Sequence, residues 1–352
     1  VEPIVDSAGC GVDGAGHELL HRGVVVFVVF ILLSRGVALV VLVVLLGAAE
    51  KPSVIVVTGA PGTEEYGQGF AKWADQWKAA SKKAKATFRQ VGKAKKGDPK
   101  DALREILAKQ SGKSPQTLWI VLLGHGTYAG KKAKFNLNGP DLEAGELAEW
   151  LKDFERPLVI VNCSSSSAPF LNGLSAKGRV VITATRSGVE RNYCRLGGFL
   201  ATAIGDSTAD LDKDGQTSLL EAWLIAARRT AAFYEEEGRL ATEHSLLDDN
   251  GDGKGIQADW FRGLQVTKKS AEESLLPDGL RAHQFHLIPS ENERKLTARQ
   301  RAERDALELE LARHRSRKTK LKDEEYYERL EEILSEMSRI YFPEKQKKPN
   351  KE

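Results

Sequence analysis

The sequence has little sulfur, with three cysteines and one methionine among 352 residues. Three cysteines are too few to hold together a small disulfide-rich scaffold, so that class of secreted protein is excluded. Lysine and arginine (52 residues) nearly balance aspartate and glutamate (49 residues), which leaves a formal net charge of +3. This balance gives no electrostatic reason to expect a nucleic acid as a partner. Hydrophobic residues make up 41% of the chain, enough for the core of one large domain or of two.

Residues 1–49 are not expected to belong to the folded body. They contain two apolar stretches separated by Arg35, and the small residues GAA follow at 47–49. A short apolar core with a basic residue and a small-residue end is typical of a secretory signal peptide, here cleaved after position 49. A membrane anchor over 24–46 is the alternative, although Arg35 near its middle would cost about 3 kcal/mol on insertion. Both interpretations predict an exported body, periplasmic or extracellular.

Strand-like and helix-like patterns alternate between residues 50 and 290. Short runs of Val, Ile and Leu are typical of strands buried on both faces, as in a parallel sheet. The alternation predicts the α/β class, with a three-layer α/β/α sandwich around a mostly parallel sheet. The strand-like runs begin at Ser53, Ala86, Leu118, Pro157 and Val180, and helices are predicted over 64–80, 98–109 and 142–154.

Two of these strand-like runs are followed by a residue with a reactive side chain. LWIVLLGHG (118–126) brings His125 between two glycines, and PLVIVNC (157–163) ends at Cys163 before four serines. In parallel sheets, ligands bind beyond the carboxyl ends of the strands. Neighbouring strands would therefore present His125 and Cys163 at one edge, although 38 positions separate them (163 minus 125). An imidazole can activate a thiol by accepting its proton, so the pair is a candidate catalytic dyad.

The order strand-His-Gly, helix, strand-Cys, strand-loop resembles that of the caspases, the legumains and their relatives. The motifs LLGHG and VIVNCSSSS carry the resemblance, which spans roughly residues 52–205. A third segment, RVVITATRSGVERNY (179–193), resembles the part of legumains that helps to shape the substrate pocket. The resemblance implies a caspase-like fold and a cysteine-type endopeptidase that acts on a polypeptide substrate.

The resemblance also implies roles for single residues. His125 would be the base and Cys163 the nucleophile. The backbone N–H groups of Cys163 and Gly126 would stabilise the oxyanion. The candidate substrate contacts are Arg186, Glu190 and Arg191.

The chain departs from the resembled pattern near the proposed nucleophile. Val161 stands where legumains have an acidic residue, and Asn162 stands where both families have alanine. Gly67-Gln68 replaces the Arg-His pair of the legumain pocket, so cleavage after asparagine is not supported. Two alternatives therefore stay open for Cys163: a buried core residue in a catalytically inactive interaction module, or a disulfide partner of Cys194.

Residues 210–221, DLDKDGQTSLLE, match a calcium loop of the EF-hand type. Oxygen ligands recur at the spacing that wraps one cation, and Gly215 permits the sharp turn. The predicted ligands are Asp210, Asp212, Asp214, the Gln216 carbonyl, Ser218 and Glu221. The alternative is a solvated acidic turn that caps a helix.

A second, weaker match begins at residue 248. Its predicted ligands are Asp248, Asn250, Asp252 and, at the closing position, Asp259. Because Asp is shorter than the usual Glu, bidentate closure is harder here, and a glycine-rich turn is the alternative. Calcium is thus the expected cofactor, and the sequence indicates no organic one. A calcium-binding structural protein is a third interpretation of the whole chain.

From residue 291 the composition becomes charged and helical. Two helices are predicted, over 296–317 and 323–341, as a helical hairpin that forms a tail region (291–352) after the caspase-like body (50–290). The second helix carries one apolar stripe, made of Tyr326, Leu330, Ile333, Leu334, Met337, Ile340 and Tyr341. Because the stripe is shorter than three heptads, it predicts packing within the chain. The alternative is a protein partner bound through the tail.

Overall fold

The computed structural model describes residues 31–33, 36–38, 50–93, 97–267 and 276–342. The chain divides into two compact units, Val1–Glu50 and Lys51–Glu352. In the first unit, strand β1 (Ile31–Leu33) pairs antiparallel with β2 (Gly36–Ala38). The signal peptide or anchor predicted over 1–49 otherwise lies outside the described residues. Within the described ranges, no helix combines the length and the apolarity needed to cross a membrane.

The second unit is built on a six-stranded sheet in the order β11-β10-β9-β5-β3-β4. Its strands are β3 (Ser53–Thr58), β4 (Thr87–Val91), β5 (Leu118–Leu123), β9 (Leu158–Asn162), β10 (Arg179–Thr183) and β11 (Leu246–Asp248). The first five strands run parallel, and β11 pairs antiparallel with β10 at one edge. Because the Val, Ile and Leu runs are buried on both faces, they take the central positions. The predicted α/β sandwich with a mostly parallel sheet is confirmed.

Helices cover both faces of this sheet. They are α1 (Glu64–Lys83), α2 (Pro99–Ala108), α3 (Ala144–Leu151), α4 (Ala168–Leu174), α5 (Leu196–Ala203), α6 (Leu219–Glu236) and the short α7 (Leu280–Gln284) and α8 (Glu291–Lys295). Alternate residues of each strand enter different cores: in β5, Trp119 and Val121 face the core shared with Trp77, while Ile120 and Leu122 face the core shared with Leu147. The alternation decides which side chains near the carboxyl edge point inward.

A small antiparallel sheet follows His125 directly. It consists of β6 (Gly126–Ala129), β7 (Lys132–Phe135) and β8 (Leu142–Glu143), and a further hairpin is formed by β12 (Phe261–Arg262) and β13 (Gln265–Val266). Gly130 and Lys131 join β6 to β7 with φ angles of 56° and 65°, as a two-residue hairpin turn requires. Residues 142–143, predicted to be helical, form β8, and the helix begins at Ala144.

The predicted C-terminal helical hairpin is confirmed as α9 (Ala298–Ser316) and α10 (Asp323–Tyr341). Leu307 of α9 packs against Ile333 and Ile340 of α10. The predicted single stripe of α10 divides into two halves, because Leu334 and Tyr341 remain 45% and 46% exposed. One half therefore closes the hairpin, and the other faces solvent.

Candidate active site

His125 lies just beyond the carboxyl end of β5, half-buried, where the sequence predicts a catalytic base. Its Nε2 atom is 3.1 Å from the carbonyl oxygen of Pro61. Because a carbonyl only accepts hydrogen bonds, Nε2 must carry the hydrogen, and a neutral ring then keeps its lone pair on Nδ1. The Pro61 carbonyl thus orients the imidazole and fixes its tautomer, as an orienting group does for a general base.

Three aromatic rings surround His125, and no sequence motif indicated that they would lie at the site. The ring centroids of Tyr66, Phe70 and Tyr193 lie 5.2, 5.4 and 6.0 Å from the imidazole. Tyr66 and Tyr193 stack on each other at 4.3 Å with a 15° interplanar angle. Phe70 lies on α1 and is fully buried. The half-exposed tyrosines give the site an aromatic face.

Cys163 lies at the predicted strand end, but its side chain points into the core. It follows Val159 and Val161 on one face of β9 and is 1% exposed. Burial raises the pKa of the Cys163 thiol well above its usual range, and the nearby Glu243 carboxylate adds to the shift. The Cys163 N–H donates to the Leu122 carbonyl at 2.9 Å. The thiol is therefore held protonated within the apolar layer.

Cys194 is the second buried cysteine. It is 2% exposed, and burial raises the pKa of its thiol, with Glu243 again contributing. Both Cys163 and Cys194 are free thiols, so the alternative of a disulfide between them does not describe this structure.

The serine run forms a buried, hydrogen-bonded cap over the strand ends. Ser164 donates to Asn162 Oδ1 through its N–H (3.0 Å) and its hydroxyl (2.6 Å). Ser165 Oγ accepts from the Gly126 N–H at 3.1 Å and donates to the Gly126 carbonyl at 3.0 Å. The Gly126 N–H, predicted to bind an oxyanion, is thus already engaged.

Ser166 has an unusual conformation in this cap. Its φ angle is 53°, and its N–H donates to the Glu190 carbonyl at 2.7 Å. Its buried hydroxyl finds no hydrogen-bond partner among the described residues. The bond to Glu190 ties the serine cap to the loop that follows β10.

Glu190 is the centre of a polar network rather than a free carboxylate. It accepts from the Arg186 N–H at 2.9 Å and pairs with the Arg186 Nε at 3.3 Å. Its Oε1 atom lies 2.5 Å from Nδ1 of His244. Arg191 is exposed beside this network. The substrate contacts predicted for Arg186, Glu190 and Arg191 stay predictions.

A cavity of about 310 Å³ lies between α6 and the segments 241–245 and 257–261. Glu243 reaches it but is only 4% exposed, and it accepts bonds from the Arg195 N–H (2.8 Å) and the Tyr234 hydroxyl (3.2 Å). Burial raises the pKa of this carboxyl. Asp259, predicted to close the second calcium loop, is exposed and lines the same cavity.

The first acidic loop has the shape that a cation site requires. Ligand oxygens of Asp210, Asp212 and Asp214 lie within 4.8 Å of one another. Gly215, at the sharp turn, has a φ of 92°. Glu221 is 1% exposed and accepts from the Ser218 N–H at 2.7 Å, in a reciprocal capping box at the start of α6. Hard oxygen donors of this kind suit calcium.

The second acidic loop is more deeply buried. In this loop Asp248 is 1% exposed and Asp249 is 2% exposed, and Asp278, from the segment just before α7, is 7% exposed. Burial raises the pKa of Asp249 to about 6 and that of Asp278 to about 8, and repulsion from Asp249 contributes to the shift of Asp278. Asp249 Oδ2 accepts from the N–H groups of Gly279 (3.0 Å) and Ala282 (2.7 Å). The loop is thereby joined to the start of α7.

No protein-family model matches the chain, and no curated protein matches it by sequence. Among solved structures, the chain is similar to the initiator caspase Dronc of Drosophila, with 14% sequence identity and a TM-score of 0.40. The match covers 59% of this chain and 83% of the caspase chain. Caspase-1 from Spodoptera frugiperda is 9% identical, with 57% and 87% covered and a TM-score of 0.38. Both of these solved structures are caspases.

Proposed function

We propose that the second unit is a peptidase-like module that binds polypeptide at the His125 edge without using Cys163 as a nucleophile. The observation that carries the proposal is the position of the Cys163 thiol, 1% exposed on the inward face of β9. The thiolate is the nucleophilic form, and burial disfavours it by raising the pKa of the thiol. A cysteine in this environment acts as a small apolar side chain.

The hydrogen bonds around the site support the same proposal. An oxyanion site needs donors that are aimed at the reacting atom and not bonded elsewhere. The Cys163 N–H is committed to the Leu122 carbonyl, and the Gly126 N–H is committed to Ser165 Oγ. Both donors predicted from the resemblance would have to break these bonds before they could stabilise a tetrahedral intermediate.

A polypeptide would meet the aromatic face made by Tyr66 and Tyr193. Both rings are half-exposed, and they stack on each other beside His125. Stacked aromatic rings offer a large contact area at a small cost in side-chain entropy. The edge therefore suits an extended chain with apolar or aromatic side chains.

We expect Tyr193→Ala to weaken binding of an unfolded polypeptide about tenfold, because it removes one ring of this face. Fluorescence anisotropy with fluorescein-labelled, denatured casein measures the change. Trp260→Ala is the matched control, since Trp260 is an aromatic side chain that is 45% exposed on a different segment. Equal affinity of wild type and Tyr193→Ala, or a larger loss in the control, would contradict polypeptide binding at this edge.

The second candidate function is a secreted or membrane-anchored cysteine-type endopeptidase that uses His125 and Cys163. It is favoured by one observation, the Pro61 carbonyl that orients His125 with Nδ1 available as a base. In this reaction Nδ1 would take the thiol proton while Sγ attacks the peptide carbonyl. The C–N bond would then break as the imidazolium protonates the leaving amine, and water would hydrolyse the thioester. The reaction requires the Cys163 side chain to leave the core.

We further propose that calcium binds the loops at 210–221 and at 248. The support is the cluster of carboxylates in the first loop, together with a buried Glu221 that joins the loop to α6. Calcium would neutralise carboxylates that otherwise repel one another, so its role would be to stabilise the fold.

Export of the protein is proposed from residues 1–49 alone. The apolar stretches around Arg35 and the small residues at 47–49 support it. Sequencing of the N-terminus of the natural protein, recovered from the medium or periplasm, tests the proposal. A mature chain that begins at Glu50 is expected, and an uncleaved chain in the cytosol would contradict it.

The outer half of the α10 stripe supports a protein partner for the tail. Leu334 and Tyr341 of the stripe are exposed, as is Tyr327, which is not part of the stripe. A groove lined by Tyr327, Leu334 and Leu330 lies on this side of the helix. Such a surface is typical of helix-in-groove contacts.

A further inference from the structure

We propose that Asp278, and not Asp259, completes the second calcium site. Asp278 lies 30 positions after the first ligand, Asp248 (278 minus 248), so it belongs to no contiguous loop motif. The proposal rests on the calcium function proposed above and assigns to the site a ligand from a separate segment.

The first loop has a characteristic set of hydrogen bonds from backbone N–H groups to carboxylates. Asp210 Oδ1 accepts from Lys213 at 2.7 Å, Asp212 Oδ1 from Asp214 at 3.2 Å, and Asp214 Oδ1 from Gln216 at 3.0 Å. With Asp210 counted as loop position 1, the N–H groups of positions 4, 5 and 7 donate to the carboxylates of positions 1, 3 and 5, respectively. One oxygen from each of the three acids lies within 4.8 Å of the others.

The second loop repeats this set bond for bond. Asp248 Oδ1 accepts from Gly251 at 3.0 Å, Asn250 Oδ1 from Asp252 at 2.9 Å, and Asp252 Oδ1 from Lys254 at 2.7 Å. The fourth and sixth residues of both loops also share the left-handed conformation, with φ between 65° and 92°. The two loops therefore share these three hydrogen bonds and the left-handed conformation at positions 4 and 6.

The closing carboxylate has the same partners in both loops. Glu221 Oε1 accepts from the N–H groups of the second and third loop residues, at 2.6 and 3.3 Å. Asp278 Oδ1 accepts from the second and third residues of its loop, at 2.9 and 3.2 Å. Asp278 thus occupies the place in the second loop that Glu221 occupies in the first. Both bonds go to Oδ1, which leaves the Oδ2 atom as the oxygen to offer to a cation.

One atom of the second loop points independently to a ligand. Asp248 Oδ2 is buried and has no hydrogen-bond partner in the part of the chain that the structure describes. The equivalent atom of the first loop, Asp210 Oδ2, accepts from Gly215 at 3.1 Å, whereas Gly253 donates instead to Ser175 Oγ at 3.0 Å. A buried carboxylate oxygen without a donor is costly unless a cation satisfies it.

The path of the chain explains why Asp259 cannot act as Glu221 does. After position 7 the first loop enters α6, which carries Glu221 back to the loop. The second loop instead turns at Gly255, and Ile256 pairs with Leu247 of β11 through two backbone hydrogen bonds. Asp259 then follows on a short 3-10 turn and lines the cavity beside Glu243.

A cation at this site would fasten the start of α7 to the edge of the main sheet. Asp278 immediately precedes Gly279, whose N–H donates to Asp249 of the loop. The ligands Asp248 and Asn250 lie at the end of β11 and just after it. The second site would therefore connect two segments that are distant in sequence.

Calcium titration of the metal-free full-length chain by isothermal calorimetry tests the proposal. Wild type is expected to bind two ions. Asp278→Asn should weaken the binding of the second ion by about tenfold or more, because the substitution removes a charged ligand. Asp259→Asn is the matched control and should bind two ions as wild type does. Asn250→Asp adds a negative charge to the second loop and should increase the affinity for the second ion by about tenfold.

Each result has a distinct meaning. Loss of the second ion in Asp259→Asn, with two ions retained in Asp278→Asn, would overturn the assignment of Asp278. One ion in wild type, removed by Glu221→Gln, would overturn the second site while calcium binding by the first loop stands. No binding by wild type would overturn both. If Asp278→Asn fails to fold, the Asn250→Asp variant provides the test instead. A calcium affinity of this variant equal to that of wild type would overturn the second site.

Discussion

Glu221→Ala is expected to destabilise the folded chain by about 3 kcal/mol and to abolish calcium binding by the first loop. The carboxylate is 1% exposed and serves two structural elements at once. Oε2 accepts from the N–H and the hydroxyl of Ser218, at 2.7 and 2.8 Å, at the beginning of α6. Oε1 accepts from the N–H groups of Leu211 and Asp212 in the loop. Alanine would leave the buried donors of Ser218 without an acceptor.

Urea unfolding followed by circular dichroism, with calcium present, measures this effect. Glu105→Ala is the control, because Glu105 also lies on a helix but its side chain is 73% exposed and its ion pair with Lys109 spans 3.9 Å. An exposed pair of this kind contributes less than about 1 kcal/mol. Equal stability of the two variants would contradict the closing role of Glu221.

Gly126→Ala is the second change with a large expected effect, a loss of about 3 kcal/mol of folding free energy. A Cβ atom at this position would lie 2.3 Å from the Ser165 carbonyl oxygen and 2.8 Å from Ser164 Oγ. Because the nearest atom belongs to the backbone, the serine cap would have to move away from the strand end. The residue after His125 is thus required to be glycine by contact with the cap.

Gly145→Ala provides the control for this change. Gly145 lies in α3, and a Cβ there meets no atom within 4 Å. Alanine is favoured over glycine inside a helix by about 1 kcal/mol, so this variant should gain stability. Thermal unfolding of both variants measures the difference. A Gly126→Ala protein as stable as wild type would mean that the serine cap is not packed against the His-Gly turn.

The parallel sheet could be predicted from sequence because its strands are continuous Val, Ile and Leu runs. The small sheet β6–β8 could not, because its strands are short and partly polar, as in GTYA and KAKF. The alternation of side chains along a strand also predicts the orientation of Cys163. Val159 and Val161 alternate on one face of β9, and residue 163 continues on that face, into the core.

The partners of the site residues were harder to predict, because they come from distant parts of the chain. Nothing in the turn after β3 indicated that Pro61 would accept a hydrogen bond from His125, 64 positions later. The fixed spacing of a calcium loop predicted Asp259 as the closing ligand. The motif spacing could not predict Asp278 as a ligand, because Asp278 lies outside the twelve-residue loop. The chain turns back to pair with β11 before it reaches position 12.

We propose that Cys163 is a core residue and not an activated nucleophile. The rate of its alkylation by iodoacetamide across pH, with calcium present and each cysteine resolved by peptide mapping, tests this most directly. We expect Cys163 to react more slowly than free glutathione at every pH, equally in wild type and in His125→Ala, and quickly only after unfolding in urea. Fast alkylation near neutral pH that collapses in His125→Ala would contradict the account and establish the dyad.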